Sequence, residues 1–181
     1  PVGEDIARVR HLRKILGPDI HLMIDANEGY DVKTAIHVGQ ALSDVGLSWF
    51  EEPVASYDDE GNLEVRRNVS MPISGGESLR TRYEFAKRLS KRVFDIVQPD
   101  IVHAGGVSEM FKIGCMANAF AVNFNPHFWG TGISLAATLH VAACLPQNPP
   151  GVAPQPYVNQ SVVEFDCTPH LIRENLTKPV F

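Results

Sequence analysis

Three acidic residues recur along the chain at a constant interval. Glu51 follows Asp25 by 26 residues, and Glu77 follows Glu51 by another 26. Each stands at or beside the end of a short apolar run, where the active sites of (β/α) proteins lie. Carboxylates that meet there repel one another unless a cation lies between them, and hard oxygen ligands suit Mg²⁺. The spacing therefore predicts a magnesium site, with solvated loop acids or helix N-caps as the alternative.

A carboxylate and an imidazole continue the same series. His127 follows Asp100 by 27 residues, and each comes after one of the next two apolar runs. A carboxylate that accepts a hydrogen bond from an imidazole fixes its tautomer and raises its basicity, as a general base requires. We therefore predict that Asp100 and His127 form a base dyad. The alternative is that His127 has only a structural role.

Six apolar runs, separated by five crossovers, position these ionisable groups. The runs are residues 20–24, 47–50, 72–76, 95–98, 121–126 and 161–163. Apolar spacing and stop signals predict helices around and between them. These helices are residues 3–16, 31–45, 83–93, 107–120 and 133–145, with a further polar segment that ends near residue 70. Strict alternation of β and α elements predicts parallel strands.

The repeat length favours a barrel among the α/β folds. Units of roughly 25 residues without a GxGxxG motif favour a (β/α) TIM-type barrel over a doubly wound sheet. Such a barrel needs about eight strands. Six runs therefore predict that the first two strands are missing from this chain, most simply before Pro1. Residues 146–160 are a long, proline-rich connection that either shapes one rim of the pocket or is a surface excursion.

The composition argues against several classes of protein. Sixteen basic against 21 acidic residues give a net charge of −5 without any basic run, so no nucleic-acid interface is expected. No apolar stretch reaches the ~18 residues that a membrane span needs. Cys115, Cys144 and Cys167 show neither CxxC nor zinc spacing, which predicts reduced thiols and a cytoplasmic location.

Six short motifs carry a resemblance to a known family. They are Asp-Ala-Asn-Glu-Gly-Tyr at 25–30, Trp-Phe-Glu-Glu-Pro at 49–53, Gly-Gly-Glu at 75–77, Gln-Pro-Asp at 98–100, Asn-Pro-His-Phe-Trp-Gly at 125–130 and Val-Glu-Phe-Asp at 163–166. In order and spacing they resemble the mandelate racemase subgroup of the enolase superfamily, over essentially the whole chain. The resemblance implies that residues 1–181 are a C-terminal catalytic domain. This domain would be a modified (β/α) barrel without its first two strands and without the N-terminal capping domain.

The resemblance also implies a metal site. Asp25, Glu51 and Glu77 would ligate Mg²⁺. Glu51 is preferred to its neighbour Glu52 because the family places its ligand first in the Glu-Glu-Pro motif. A Lys-x-Lys motif, which would supply the base on the opposite face of the substrate, is expected upstream of this chain.

Further roles follow from the same resemblance. Asp100 and His127 would be the catalytic dyad, and Glu164 would donate a hydrogen bond to a carboxylate oxygen of the substrate. An acid at position 100, where the muconate-lactonizing branch has a lysine, favours this dyad. Weaker candidates for substrate contact are Asn27, His103 and Trp129; the alternative for His103 is a helix-entry or surface role, and the alternative for Trp129 is packing in the core or at the rim.

The substrate that the resemblance implies is a small carboxylate, an acid sugar or its lactone. The shared chemistry is removal of the proton α to the carboxylate, and we expect dehydration to a 2-keto-3-deoxy acid, a lyase reaction. The alternatives on the same scaffold are a racemase or epimerase and a sugar-lactone cycloisomerase. A non-enzymatic alternative is an inactive metal-binding barrel fragment. A homo-oligomer is expected from the family.

Overall fold

The computed structural model describes residues 1–147 and 161–176, which belong to two compact units. The first unit comprises Pro1–Gly75 with Arg92–Asp95, and the second comprises Gly76–Lys91 with the chain from Ile96 onward. The elements of the first unit are α1 (Val2–Leu16), β1 (Leu22–Asp25), α2 (Val32–Ala41), β2 (Leu47–Glu51), α3 (Asp59–Asn68) and β3 (Ile73–Gly75). Those of the second are α4 (Thr81–Lys91), β4 (Ile96–Val97), α5 (Ile101–Ala104), α6 (Val107–Ala119), β5 (Asn123–Phe124), α7 (Gly132–Cys144) and α8 (Leu171–Asn175).

The first unit is built on three parallel strands. β1 pairs with β2 up to the Asp25–Glu51 position, and β2 pairs with β3 through Phe50–Ile73. Phe50 and Ile73 are completely buried, as expected for strands with packed faces. Because of this register, β1 and β2 end side by side, and the last residue of each strand is an acid, Asp25 or Glu51.

Side-chain caps begin two helices of the first unit. Asp31 accepts a hydrogen bond from the Thr34 amide at 2.9 Å at the start of α2. Asp58 accepts one from the Gly61 amide at 2.9 Å at the start of α3. Each cap satisfies a backbone amide that has no partner within the helix. The caps therefore fix where α2 and α3 begin after the preceding strands.

The second unit has a short parallel pair of strands packed with helices. β4 and β5 pair through Ile96–Asn123 and Val97–Phe124. Phe85 of α4 and Ile113 of α6 are completely buried in the core of the unit. All strand pairs within each unit are parallel and alternate with helices. This confirms the predicted α/β class.

The prediction of a sixth strand at residues 161–163 is wrong. These residues have no strand conformation. The Val162 amide donates to the side-chain Oδ1 of Asn125 at 3.1 Å, and the Glu164 amide donates to the Pro126 carbonyl at 3.1 Å. The Asn125 side chain therefore accepts the hydrogen bond that a backbone carbonyl would accept in a sheet, and residues 161–163 do not form a regular strand ladder.

Two short helices, α5 and α8, were not predicted, and the predicted helices α2, α4, α6 and α7 end earlier than their apolar spacing suggested. Most of the proline-rich connection, residues 148–160, lies outside the described residues. Within residues 1–147 and 161–176, no helix combines the length and apolar character needed to cross a lipid bilayer.

Candidate active site

The imidazole of His127 is bound to the carboxylate of Asp100. His127 Nδ1 lies 2.9 Å from Asp100 Oδ2, and both residues are buried. The other oxygen of Asp100 accepts the Val102 amide at 2.7 Å, where Asp100 caps α5. The carboxylate is thereby held on both sides, and the imidazole takes its orientation from it.

Two further carboxylates approach His127 from its other side. Nε2 of His127 lies 3.3 Å from Glu77 Oε2. Ligand atoms of Glu77, His127 and Glu164 all lie within 4.8 Å of one another. The hydrogen bond from the Glu164 amide to the Pro126 carbonyl keeps Glu164 beside the segment that carries His127. Three predicted site residues and Asp100 thus form one cluster, centred on an imidazole.

The charges of this cluster determine the protonation of His127. Burial of the ring lowers the pKa of His127. The hydrogen bond to Asp100 and the negative charges of Glu77 and Glu164 outweigh burial and raise this pKa from 6.5 to about 9. Burial also raises the pKa of Asp100, but hydrogen bonds from His127 and the Val102 amide lower it below its ordinary value overall. The pair is therefore an imidazolium and a carboxylate at neutral pH while no cation lies nearby.

In the first unit, two predicted metal ligands end adjacent strands. Asp25 and Glu51 are register partners in the β1–β2 ladder. Asp25 Oδ1 accepts the Asn27 amide at 2.7 Å, and Glu51 Oε2 accepts the indole Nε1–H of Trp49 at 3.0 Å. Carboxylate oxygens on the paired ends of two strands are a donor set that fits a hard divalent cation such as Mg²⁺. Glu77, the third predicted ligand, belongs to the second unit.

The three weaker candidates occupy exposed positions. Asn27 follows β1 with a positive φ of 46°, a backbone conformation that asparagine adopts more readily than most residues. Nδ1 of His103 lies 3.0 Å from the carbonyl oxygen of Glu77, which ties His103 to the backbone of a site residue. Trp129 is 69% exposed.

Two residues near the site were not identified from the sequence. Trp49 hydrogen bonds to Glu51, and Asn125 hydrogen bonds to the backbone two residues before Glu164. Each stands two positions before a predicted site residue, Glu51 or His127. Trp49 and Glu51 share a face of β2 because residues two apart on a strand do so, and that spacing points to Trp49. Asn125 and His127 lie beyond β5, so the rule does not apply to them.

Comparisons with known proteins agree with this architecture. The family model described as "Enolase C-terminal domain-like" matches residues 1–169. The chain is 39% identical over 173 residues to the D-galactarolactone cycloisomerase of Agrobacterium fabrum, covering 96% of this chain and 45% of that protein. It is 39% identical over 142 residues to the arabinonate dehydratase of Saccharolobus solfataricus, covering 78% of this chain and 38% of that protein. The chain thus spans less than half the length of either relative.

Solved structures agree with the sequence matches. The 3,6-anhydro-D-galactonate cycloisomerase of Zobellia galactanivorans superposes with a TM-score of 0.86 at 36% identity, covering 97% of this chain and 46% of that one. A mandelate racemase/muconate lactonizing protein of Paracoccus denitrificans, solved in complex with magnesium, has a TM-score of 0.76 at 41% identity, covering 80% and 39%. The chain therefore belongs to the enolase superfamily, in its mandelate racemase subgroup, and corresponds to the C-terminal portion of that fold.

Proposed function

We propose that the protein removes the proton α to the carboxylate of an acid sugar and that dehydration to a 2-keto-3-deoxy acid follows. The observation that carries this proposal is the buried Asp100–His127 pair, with Nδ1 and Oδ2 2.9 Å apart. A general base needs a fixed tautomer and a partner that stabilises its protonated form, and Asp100 supplies both. Acid-sugar dehydratases among the relatives support the choice of substrate class.

His127 takes the proton at Nε2 in the proposed step. Because Nδ1 faces Asp100, the neutral imidazole keeps its lone pair on Nε2. The α-C–H bond breaks, its electron pair moves into the enolate, and Asp100 stabilises the imidazolium. Return of this proton to the departing β-hydroxyl releases water, and the resulting enol tautomerises to the 2-keto acid. We propose that Glu164, which carries a negative charge beside His127, takes up a proton together with the substrate and donates a hydrogen bond to the substrate carboxylate.

We further propose Asp25, Glu51 and Glu77 as ligands of Mg²⁺. When bound, the ion supplies positive charge that stabilises the enolate. Glu77 also contributes to the raised pKa of His127. A cation on this carboxylate would offset its charge and would therefore lower the pKa of His127 from about 9. His127 is then available as a neutral base closer to neutral pH.

A cycloisomerase is the second candidate, because the relatives include cycloisomerases as well as dehydratases. The two cycloisomerases named above align over 96% and 97% of the chain. The arabinonate dehydratase and the L-talarate/galactarate dehydratase align over 78% and 81%. A further cycloisomerase, the 3,6-anhydro-alpha-L-galactonate cycloisomerase of Streptomyces coelicolor, aligns over 79%, so the extent of alignment does not separate the two classes. Opening a sugar lactone or anhydro ring uses the same α-deprotonation, but the departing β-oxygen stays attached to the product. His127 therefore serves either outcome.

The deciding experiment is a ¹H NMR screen of the intact protein in D₂O with aldonic acids, aldaric acids and their lactones. Each substrate is incubated with Mg²⁺ and, separately, with a chelator. A Mg²⁺-dependent 2-keto-3-deoxy product from an open-chain acid supports the dehydratase. Ring opening without loss of water supports the cycloisomerase, and deuterium at the α-carbon alone supports a racemase or epimerase. No exchange with any substrate contradicts the proposal and favours the inactive barrel.

A further inference from the structure

Trp49 lies on the same face of β2 as the proposed metal ligand Glu51. Successive side chains of a strand point to opposite faces, so positions 49 and 51 share one face while Phe50 points to the other. Trp49 is only 7% exposed and Glu51 only 4%. Both side chains are therefore packed, and a polar group on either needs a partner inside the protein.

The partner of the indole is the carboxylate. Trp49 Nε1–H donates to Glu51 Oε2 at 3.0 Å. A buried indole N–H seeks an acceptor, and a hydrogen bond to an ionised carboxylate is stronger than one between neutral groups. Because Oε2 is directed at the indole, rotation of the carboxylate is restricted and the direction of Oε1 is set with it.

From this contact we infer that Trp49 is a positioning residue that orients Glu51 for a divalent cation. The inference rests on the proposed role of Glu51 as a metal ligand. Groups that hydrogen bond to metal ligands set their orientation, and their loss typically weakens metal binding by about 10- to 100-fold. At Asp25 the corresponding donor is the backbone amide of Asn27. A side-chain substitution at position 49 therefore probes the orientation of Glu51 without altering that of Asp25.

The test measures Mg²⁺ affinity by titration calorimetry of the intact protein. Trp49→Phe removes the N–H but also reduces the volume of the side chain. A second variant therefore carries β-(3-benzothienyl)alanine at position 49, in which sulfur replaces the N–H at nearly the same size. The control is Tyr83→Phe, a substitution at an exposed aromatic residue on α4 that has no proposed role in the site. We expect Mg²⁺ affinity to fall about tenfold or more in both position-49 variants and to stay unchanged in Tyr83→Phe.

A spectroscopic readout leaves position 49 intact. In the ¹⁵N-labelled Trp129→Phe protein, the remaining indole N–H signal belongs to Trp49, because the chain has two tryptophans. We expect this signal to shift as Mg²⁺ is added and to lose that response in Glu51→Gln.

Two different results overturn the inference in different ways. If the benzothienylalanine variant binds Mg²⁺ with native affinity and the indole N–H signal of Trp49 does not shift when Mg²⁺ is added, Trp49 does not orient Glu51. Glu51 then remains a ligand. If Glu51→Gln binds Mg²⁺ with native affinity, Glu51 is not a ligand, and this part of the proposed function is wrong as well.

Discussion

The two units hold their functional side chains by different means. In the first, the backbone ladder of β1 and β2 runs to the ends of both strands, and Asp25 and Glu51 are its last paired residues. In the second, β4 and β5 are two residues long. Asp100 and His127 lie beyond those strands and are joined to each other by a side-chain hydrogen bond.

This difference determines how far the effect of a substitution spreads. A residue at the end of a backbone ladder keeps its backbone position when a neighbouring side chain changes, because the ladder does not depend on that side chain; only the orientation of its carboxylate changes. In a side-chain network each member positions the next, and loss of one leaves buried partners unsatisfied. We therefore expect substitutions in the first unit to act through metal binding. Those in the second unit should change orientation, pKa and proton transfer together.

The largest effect is expected from His127→Asn. Without the imidazole, exchange of the α-proton in D₂O should fall by about 10²- to 10⁴-fold, the usual contribution of a general base. The rate is measured by ¹H NMR on the substrate identified by the screen. His140→Asn, an exposed histidine on α7, is the control and should exchange at the native rate. Native exchange in His127→Asn would remove this residue from the mechanism.

Asp100→Asn should follow, because it disrupts the network without removing the base. The amide carries no charge, so the pKa of His127 should drop well below about 9 when titrated by NMR with chelator present. Turnover should fall by roughly 100-fold because the imidazolium loses its stabilising partner. A lower pKa with native turnover would show that Asp100 sets protonation but does not assist catalysis, and the comparison between the units would fail.

The adjacent acids Glu51 and Glu52 test the first unit. Both are buried, and they differ by one position along the chain. Glu51→Gln should weaken Mg²⁺ binding by roughly 100-fold, since a neutral amide replaces a charged oxygen ligand. Glu52→Gln should change it by less than about fivefold, because Glu52 lies beyond the end of β2, with a positive φ of 36°, and is not a register partner of Asp25. Calorimetry measures both variants, and the opposite ranking would make Glu52 the ligand.

The sequence order was enough to predict much of the site. Apolar runs that end in acids predicted that β1 and β2 finish at Asp25 and Glu51. The interval between Asp100 and His127 predicted their pairing because equivalent positions on neighbouring strands lie side by side. These features depend on the repeat length of the β/α units, which can be read directly from the sequence.

Features that depend on side-chain conformation were not predicted. The contact of Glu77 with His127 requires particular rotamers of both residues, and no spacing rule encodes them. The segment 161–163 has the composition of a strand, but the Asn125 side chain takes up the Val162 amide. The helix α5 is four residues long, too short for apolar periodicity, and begins where Asp100 caps it.

The smallest effect concerns the pH dependence of stability in the second unit. With chelator present, the pKa of His127 is about 9 in the folded protein and about 6.5 in the unfolded chain. The folded state therefore binds this proton more tightly, and the resulting stabilisation is complete below pH ~6.5 and disappears as the pH rises through ~9. The unfolding free energy should thus fall across this range, by on the order of 3 kcal/mol, as measured by urea denaturation. His127→Asn should remove this part of the slope, and an equal slope in both proteins would show that His127 is not the proton-binding group.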